Sequence, residues 1–260
     1  MNRSDDFPTF DLHCVAIMSS FARIAEDPEV VNDVVEALRK LKLEHYALED
    51  KIRVIEKRAN IDVKTGLYRY NDLYLENVLK IASRALEGKG RKDVYQVAYV
   101  RFDLDDFSRL NNMYGHDLGD RVLEAFAQML REISRPTDWA IRYGGEEFDL
   151  LLPSTDSTGA MNLVEKIMAR LRKFRITHER TKVQITASAG ITELSVPVAQ
   201  LAEVTHKAAI KTYHQIQKQA DDALYHSKAL GKNQAQIYDA AHKAQYTKYR
   251  REYALRTHRG

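Results

Sequence analysis

Residues 95–107 read Tyr-Gln-Val-Ala-Tyr-Val-Arg-Phe-Asp-Leu-Asp-Asp-Phe, and this stretch decides the fold. The segment Tyr95 to Leu104, with its apolar run Val97 to Val100, predicts a strand. It ends in a cluster of carboxylates, Asp103, Asp105 and Asp106. Further on, Trp139 to Arg142 and Phe148 to Leu152 read as two strands joined by Gly144-Gly145-Glu146-Glu147, a hairpin. Carboxylates at a strand end and in an adjacent turn can hold a hard divalent cation such as Mg²⁺, which prefers oxygen ligands. Glycines at 144 and 145 carry no Cβ, so a bulky ligand can approach the backbone there. Taken alone, the same turn also reads as an ordinary solvated hairpin.

Outward from this centre, helices alternate with strands. Asn71 to Leu86, Asp117 to Ile133 and Ser157 to Phe174 read as helices, the second ended by Pro136. Val183 to Leu194 reads as a strand, Val198 to Leu230 as mostly helix, and Gln234 to Tyr238 as a last short strand. The pattern predicts an α/β (α+β) domain, a mixed sheet with helices packed against it.

Several ordered motifs then carry a resemblance. Phe102-Asp103-Leu104-Asp105-Asp106-Phe107 is followed by Asn111 and by Tyr114-Gly115-His116-Asp117-Leu118-Gly119-Asp120, and then by Arg142-Tyr143-Gly144-Gly145-Glu146-Glu147-Phe148. Asp62-Val63-Lys64-Thr65-Gly66-Leu67, Ser188-Ala189-Gly190-Ile191, Ala220 to Lys228 and Gly231-Lys232-Asn233 add to the series. Together they resemble the GGDEF family of diguanylate cyclases, in its GGEEF variant, over about residues 60–240. The resemblance implies a nucleotidyl-cyclase or polymerase-palm-like sheet. It implies an enzyme that condenses two GTP into cyclic di-GMP with release of two pyrophosphates, using Mg²⁺ or Mn²⁺.

Carried over position by position, the resemblance makes Asp103, Glu146 and the Leu104 carbonyl metal ligands, with Glu146 and Glu147 catalytic. Asn111 and Asp120 match guanine readers, because a carboxylate accepts from guanine N1–H and N2–H₂. His116 lies near the substrate or packs its loop, Gly144 and Gly145 lie against the nucleotide, and Lys228 and Lys232 bind phosphates. Arg135 and Asp138, in Arg135-Pro136-Thr137-Asp138, match an inhibitory product site, assisted by Arg142. Departures are Lys64 for a leucine, Arg69-Tyr70 for Asn-Arg, Ser108 for a lysine, Asn112 for an aspartate and Lys232 for an arginine; Val196 to Gln219 is longer than the family pattern. They bear on turnover rate more than on the reaction. The alternative is a catalytically weak domain serving as a GTP or cyclic di-GMP receptor; a plain structural dimer module is a third reading.

Ahead of this region, Glu29 to Thr65 contains neither glycine nor proline, with Pro28 at a first helical turn after a capping Asp27. Val31, Val34, Leu38, Leu41, Leu48, Ile52, Ile55 and Ala59 follow a seven-residue a/d pattern with His45 at an a position. So narrow a stripe suits a partner helix better than a globular core, although a helix lying on its own domain also accommodates it. Lys51 and Glu56 attract across a parallel pair whereas Glu44 and Glu49 repel, so a homodimer through residues 31–59 with a seam of moderate strength is expected. His45 is a pH sensor or a tolerated polar a position. The expected organisation is 1–28 as an N-terminal segment, 29–61 as a coiled-coil signalling helix, 62–240 as the catalytic domain and 241–260 as a basic tail. No sensor is recognisable in residues 1–59, and His13 beside Cys14 is weak ground for a metal site.

Composition sets the outer bounds. The 260 residues are 44% hydrophobic and 30% charged, the make-up of a globular chain. A net charge of +3 is too balanced for a nucleic-acid coat protein. No apolar run is long enough for a membrane span, and no secretory signal is evident. A single cysteine excludes an internal disulfide framework, and the expected compartment is the cytoplasm.

Overall fold

Proline fixes φ near its helical value and lacks only an N–H that a first turn leaves unpaired, so Pro28 opens a helix at no cost. In the computed structural model, which describes residues 28–86 and 93–249, the 32-residue helix α1 (Pro28–Ala59) follows it. The chain divides into two compact units, the main boundary falling at Asn60–Ile61 and the short stretch Thr205–Lys207 grouping with the first. Within the first, the a and d residues Leu41, Leu48, Ile52 and Ile55 are 49, 56, 47 and 65% exposed, an apolar stripe left open along the helix. His45 Nε2 lies 3.5 Å from Glu49 Oε1, one helical turn on.

The second unit runs through β1 (Tyr68–Arg69), α2 (Tyr74–Leu86), β2 (Val94–Leu104), α3 (Phe107–Tyr114), α4 (His116–Ile133), β3 (Trp139–Gly144) and β4 (Glu147–Pro153). It continues with α5 (Ser157–Lys173), β5 (Ile176–His178), β6 (Thr181–Val183), β7 (Ala187–Pro197), a 3₁₀ turn (Val198–Glu203), α6 (His206–Ala229), β8 (Ala235–Ile237) and a 3₁₀ turn (Ala240–His242). Six strands form one mixed sheet in the order β1-β3-β4-β2-β7-β8. β2 lies antiparallel to both β4 and β7, and the outer pairs β1–β3 and β7–β8 are parallel.

A strand alternates its side chains between faces, and β2 shows both faces filled. Ala98, Val100, Phe102 and Leu104 join Phe126, Leu130, Val164 and Ile167 from α4 and α5 in one core. Val97 and Tyr99 join Leu75, Val78, Tyr213 and Ile216 from α2 and α6 in the other. The sheet is therefore covered on both sides, and the open end of β2 carries the carboxylates.

Some boundaries differ from the sequence reading. Val183 to Leu194 is not one strand. Thr181–Val183 pairs with Ile176–His178 in a separate hairpin around Glu179 at φ 52°, and the main-sheet strand starts only at Ala187. Asp105 causes part of that break: its N–H donates to the Thr186 carbonyl and its carboxylate accepts from the Thr186 hydroxyl, both at 2.7–2.8 Å. The helix expected from Asn71 begins at Tyr74, since Asn71 Oδ1 accepts from Leu73 N–H in a turn that occupies the segment. The stretch after Val198 is a 3₁₀ turn, then a separate helix. The Asp27 cap, His13 and Cys14 and residues 250–260 of the tail lie outside the described residues; residues 243–249 are helical.

Candidate active site

Strand register builds the centre of the site. Asp103, the next-to-last residue of β2, sits opposite Glu147 on β4 and Ser188 on β7. The Leu104 N–H donates to the Glu146 carbonyl at 3.3 Å, which ties the β3–β4 turn to the end of β2. Gly145 turns the chain at φ 49°, a left-handed value that glycine adopts without strain. A Cβ at Gly144 or Gly145 would meet nothing within 4 Å, so open space lies over the turn.

Lys228 of α6 places its ammonium 2.7 Å from Asp103 Oδ2, with the two side chains only 8 and 14% exposed. Burial pushes the Asp103 carboxyl above its usual range; Lys228 pulls it down, and Glu146 and Asp105 push it up. Burial likewise raises Glu147, against the pull of Arg101. Asp105, just beyond, is a structural clamp: it accepts from Thr186 and Ser188 hydroxyls at 2.7 Å and from the Asn233 N–H at 3.0 Å. Lys232 reaches Asp106 Oδ1 at 2.7 Å. Among the described residues no three His, Cys, Asp or Glu side chains form a ready cluster for a metal. Asp103 and Glu146 lie close enough for their charges to interact.

A second group lies at the α3–α4 junction. Gly119 lets the helices approach: a Cβ there would sit 1.9 Å from Asn111 Oδ1. That oxygen is buried and accepts no hydrogen bond, an unfilled acceptor. Asp120, one residue on, pairs with Lys64 at 2.5 Å. His116, at the start of α4, is exposed.

The sequence reading missed a buried network behind the carboxylates. Arg101 shares a face of β2 with Asp103 and clasps Asp149 of β4 through Nε and Nη2 at 2.9 and 3.0 Å. The Tyr99 hydroxyl donates to the same carboxylate and accepts from Arg101 Nη2 at 2.9 Å. Burial opposes the guanidinium charge, but Asp149 and Tyr99 more than offset it and raise Arg101; burial raises the Asp149 carboxyl against the pull of Arg101. The register of β3 and β4 shifts between Arg142 and Gly144. Tyr143, the residue between them, lays its ring 3.8 Å from the Arg101 guanidinium carbon. The only signal in the sequence was an arginine and an aspartate inside two mostly apolar strands, which call for buried partners without naming them.

Arg135 and Asp138 share one turn, with the Arg135 N–H donating to Asp138 Oδ2 at 2.8 Å. Asp138 Oδ1 is buried without a partner, and burial raises this carboxyl. Arg142 is engaged elsewhere: it donates to Asp62 at 3.1 Å and to the Gly145 carbonyl at 3.0 Å, joining the 62–66 turn to the glycine turn.

Comparison with known proteins gives one family: the model described as "Diguanylate cyclase, GGDEF domain" matches residues 59–234. Diguanylate cyclase A of Treponema denticola is 26% identical over 239 residues, 91% of this chain and 53% of its own length. Response regulator PleD of Caulobacter vibrioides is 32% identical over 183 residues, 67% of this chain and 35% of its own. The chain thus spans about half or less of these two relatives. Among solved structures, diguanylate cyclase SiaD of Pseudomonas aeruginosa, in complex with its activator SiaC, superposes with a TM-score of 0.56 at 25% identity, covering 90% of this chain and 80% of that one. The coiled coil and GGDEF domain of DgcB from Caulobacter crescentus, in complex with c-di-GMP, gives 0.55 at 23% identity, over 78% of this chain and 98% of that one, a likeness of fold.

Proposed function

The chain belongs to the GGDEF family of diguanylate cyclases, and on that premise we propose that it joins two GTP molecules into cyclic di-GMP with release of two pyrophosphates. One observation carries the reading: Asp103 sits in register beside the Gly144–Glu147 turn with Lys228 bonded to it, a dense oxygen site already holding a cationic group. The same oxygens fit Mg²⁺ or Mn²⁺, with Asp103, Glu146 and the Leu104 carbonyl as its protein ligands. Such an ion neutralises triphosphate charge and polarises the α-phosphate.

The chain's own residues supply the rest. Glu146 accepts the proton of the attacking 3′-hydroxyl as the oxygen bonds to the α-phosphorus and pyrophosphate leaves. Glu147 supports the carboxylate set from the β4 side. Lys228 and Lys232, both now on carboxylates, turn to the phosphates once GTP arrives. The open ground over Gly144 and Gly145 admits the nucleotide. Asn111 offers its unfilled acceptor, and Asp120 its carboxylate, to the donors on guanine.

Each domain holds one GTP, so two must face each other. A parallel homodimer through residues 31–59 delivers both from one axis and makes their encounter intramolecular. Arg135 and Asp138 bind product and restrain the enzyme; Arg142, held by Asp62 and Gly145, acts there through the turn it braces. No described helix is long and apolar enough to cross a membrane, and the reading places the catalytic unit in the cytoplasm with its GTP.

The test is incubation of the full chain with GTP and Mg²⁺ and chromatographic separation of products. Cyclic di-GMP is expected, and Glu146→Gln should lower its formation at least about a hundredfold with an unchanged melting curve. Near-normal turnover in that variant sinks the assignment.

A further inference from the structure

Lys64 stands where the family pattern has a leucine, and the structure gives the change a consequence. Its ammonium lies 2.5 Å from Asp120 Oδ1, with lysine and aspartate side chains 40 and 41% exposed. The turn that carries it is fixed. Gly66 N–H donates to the Asp62 carbonyl at 2.7 Å, and Thr65 donates to Asp62 Oδ1 through its N–H at 2.9 Å and its hydroxyl at 2.7 Å. Arg131 Nη1 donates to the Thr65 carbonyl and Arg142 Nη1 to Asp62 Oδ1. The backbone on both sides of Lys64 is therefore pinned, and its side chain is 40% exposed.

The edge of guanine presents, in order, the N2 amino donors, the N1–H donor and the O6 acceptor. A carboxylate that accepts from N1–H and N2–H₂ has the oxygen facing N1–H next to O6. A cation bonded to that oxygen lies beside O6. A lysine has three N–H donors and no acceptor, so it can keep Asp120 on one and offer another to O6. A half-exposed ion pair is weakly held in water, so sharing it with a ligand costs little. Adenine presents an amino group at that corner and would meet the ammonium donor to donor.

We propose that Lys64 is a specificity-determining residue that donates to guanine O6 while Asp120 accepts from N1–H and N2–H₂. The proposal rests on the reading of Asp120 as a guanine acceptor and extends it to the whole edge of the base. It makes the Lys64–Asp120 pair a preassembled acceptor–donor template, where a leucine would leave O6 to water.

The test is equilibrium binding by the full chain, read by titration calorimetry. The probes are 3′-deoxyGTP, its 6-thio analogue and 3′-deoxyATP; without a 3′-hydroxyl they bind but cannot condense. The 6-thio base keeps the N1 and N2 donors and replaces O6 by a poor acceptor. Wild type should prefer 3′-deoxyGTP to the thio analogue by about tenfold, the scale of one hydrogen bond to a charged group. Lys64→Met, which keeps most of the stem, should weaken 3′-deoxyGTP by about tenfold and bring the two probes within about twofold of each other. Lys64→Arg should restore part of the preference, since it restores a donor. A Lys64→Met protein that binds 3′-deoxyGTP as well as or better than wild type, or keeps the oxygen-over-sulfur ratio, overturns the proposal and leaves Asp120 as reader intact. A wild type that fails to distinguish guanine from adenine overturns both.

Discussion

Replacing Arg101 by methionine isolates the charge buried beneath the active site. Asp149 is 0% exposed and receives two bonds from the guanidinium at 2.9 and 3.0 Å plus one from the Tyr99 hydroxyl. Arg101→Met keeps the stem volume but leaves the carboxylate with Tyr99 alone. Removing one partner of a buried ion pair costs about 3–5 kcal/mol, because the remaining charge is uncompensated. The variant can escape part of this by protonating Asp149, whose carboxyl burial already pushes upward. The folded variant then binds a proton that the unfolded chain at neutral pH does not. Its stability accordingly rises as pH falls from 7 towards the ordinary carboxyl range near about 4, and its deficit against wild type narrows. The assay is urea denaturation of the full chain at pH 7 and pH 5, followed by circular dichroism. The double variant Arg101→Met, Asp149→Leu removes both charges and should recover about half of the loss or more, Tyr99 having lost its acceptor. A single variant within about 1 kcal/mol of wild type at pH 7, or a double variant as unstable as the single, would refute the reasoning.

Gly119→Ala should raise the KM for GTP by about tenfold, because the new methyl displaces the Asn111 amide from its place against α4, and it should lower the melting temperature modestly because the buried Phe107 ring, 3.2 Å away, must also give; steady-state kinetics and thermal denaturation check it. Burial alone would raise the Asp62 carboxyl, but bonds from Thr65 and Arg142 outweigh it and hold it low, so Asp62 contributes stability above the ordinary carboxyl range that is lost as pH falls through its lower folded value. Asp62→Asn should therefore cost about 1–2 kcal/mol at pH 7, and the difference from wild type should shrink in denaturant titrations as pH falls below the ordinary carboxyl range. Leu41→Asp with Ile52→Asp should give a monomer with reduced activity at low concentration, measured by light scattering and product formation; a monomer of undiminished activity defeats the dimer proposal. Arg135→Ala should relieve inhibition by added cyclic di-GMP at an unchanged initial rate, and equal inhibition of both proteins would remove Arg135 from the product site.

What the sequence made legible is what local physics writes locally. The strand through Val97–Val100 and the hairpin around Gly144-Gly145 announce themselves by apolar runs and turn residues, and both form. The heptad from Val31 yields one unbroken helix. Helix α3 stayed hidden because its eight residues contain Asn111 and Asn112, poor helix formers, and only Phe107 and Leu110 as buried anchors. The β5–β6 hairpin stayed hidden because its strands carry Thr177, His178, Thr181 and Lys182, polar residues with no alternating apolar face. The pairs Lys64–Asp120 and Arg101–Asp149 cannot be read from either member alone. Each depends on a register or a turn that brings distant residues together, and no spacing along the chain encodes that meeting.

The buried pair also explains how one strand end can carry so many acids. Asp103, Glu147 and Asp149 come together across β2 and β4, and Asp221 of α6 adds its charge to the same neighbourhood. Burial raises the Asp103, Glu147 and Asp149 carboxyls first, and the charges of neighbouring acids add to it and work against folding. Two cations answer it differently. Arg101 lies at the buried end, held by two bonds to Asp149 and covered by the Tyr143 ring, and a guanidinium so placed cannot leave. Lys228 pairs with Asp103 through a flexible stem, and a lysine ammonium, unlike a forked guanidinium, holds its partner as a point charge. The forked counter-charge is thus at the back of the site and the point charge at the front. On the proposed function, that division would let the front carboxylates give up their internal partner to a ligand without leaving the whole cluster uncompensated.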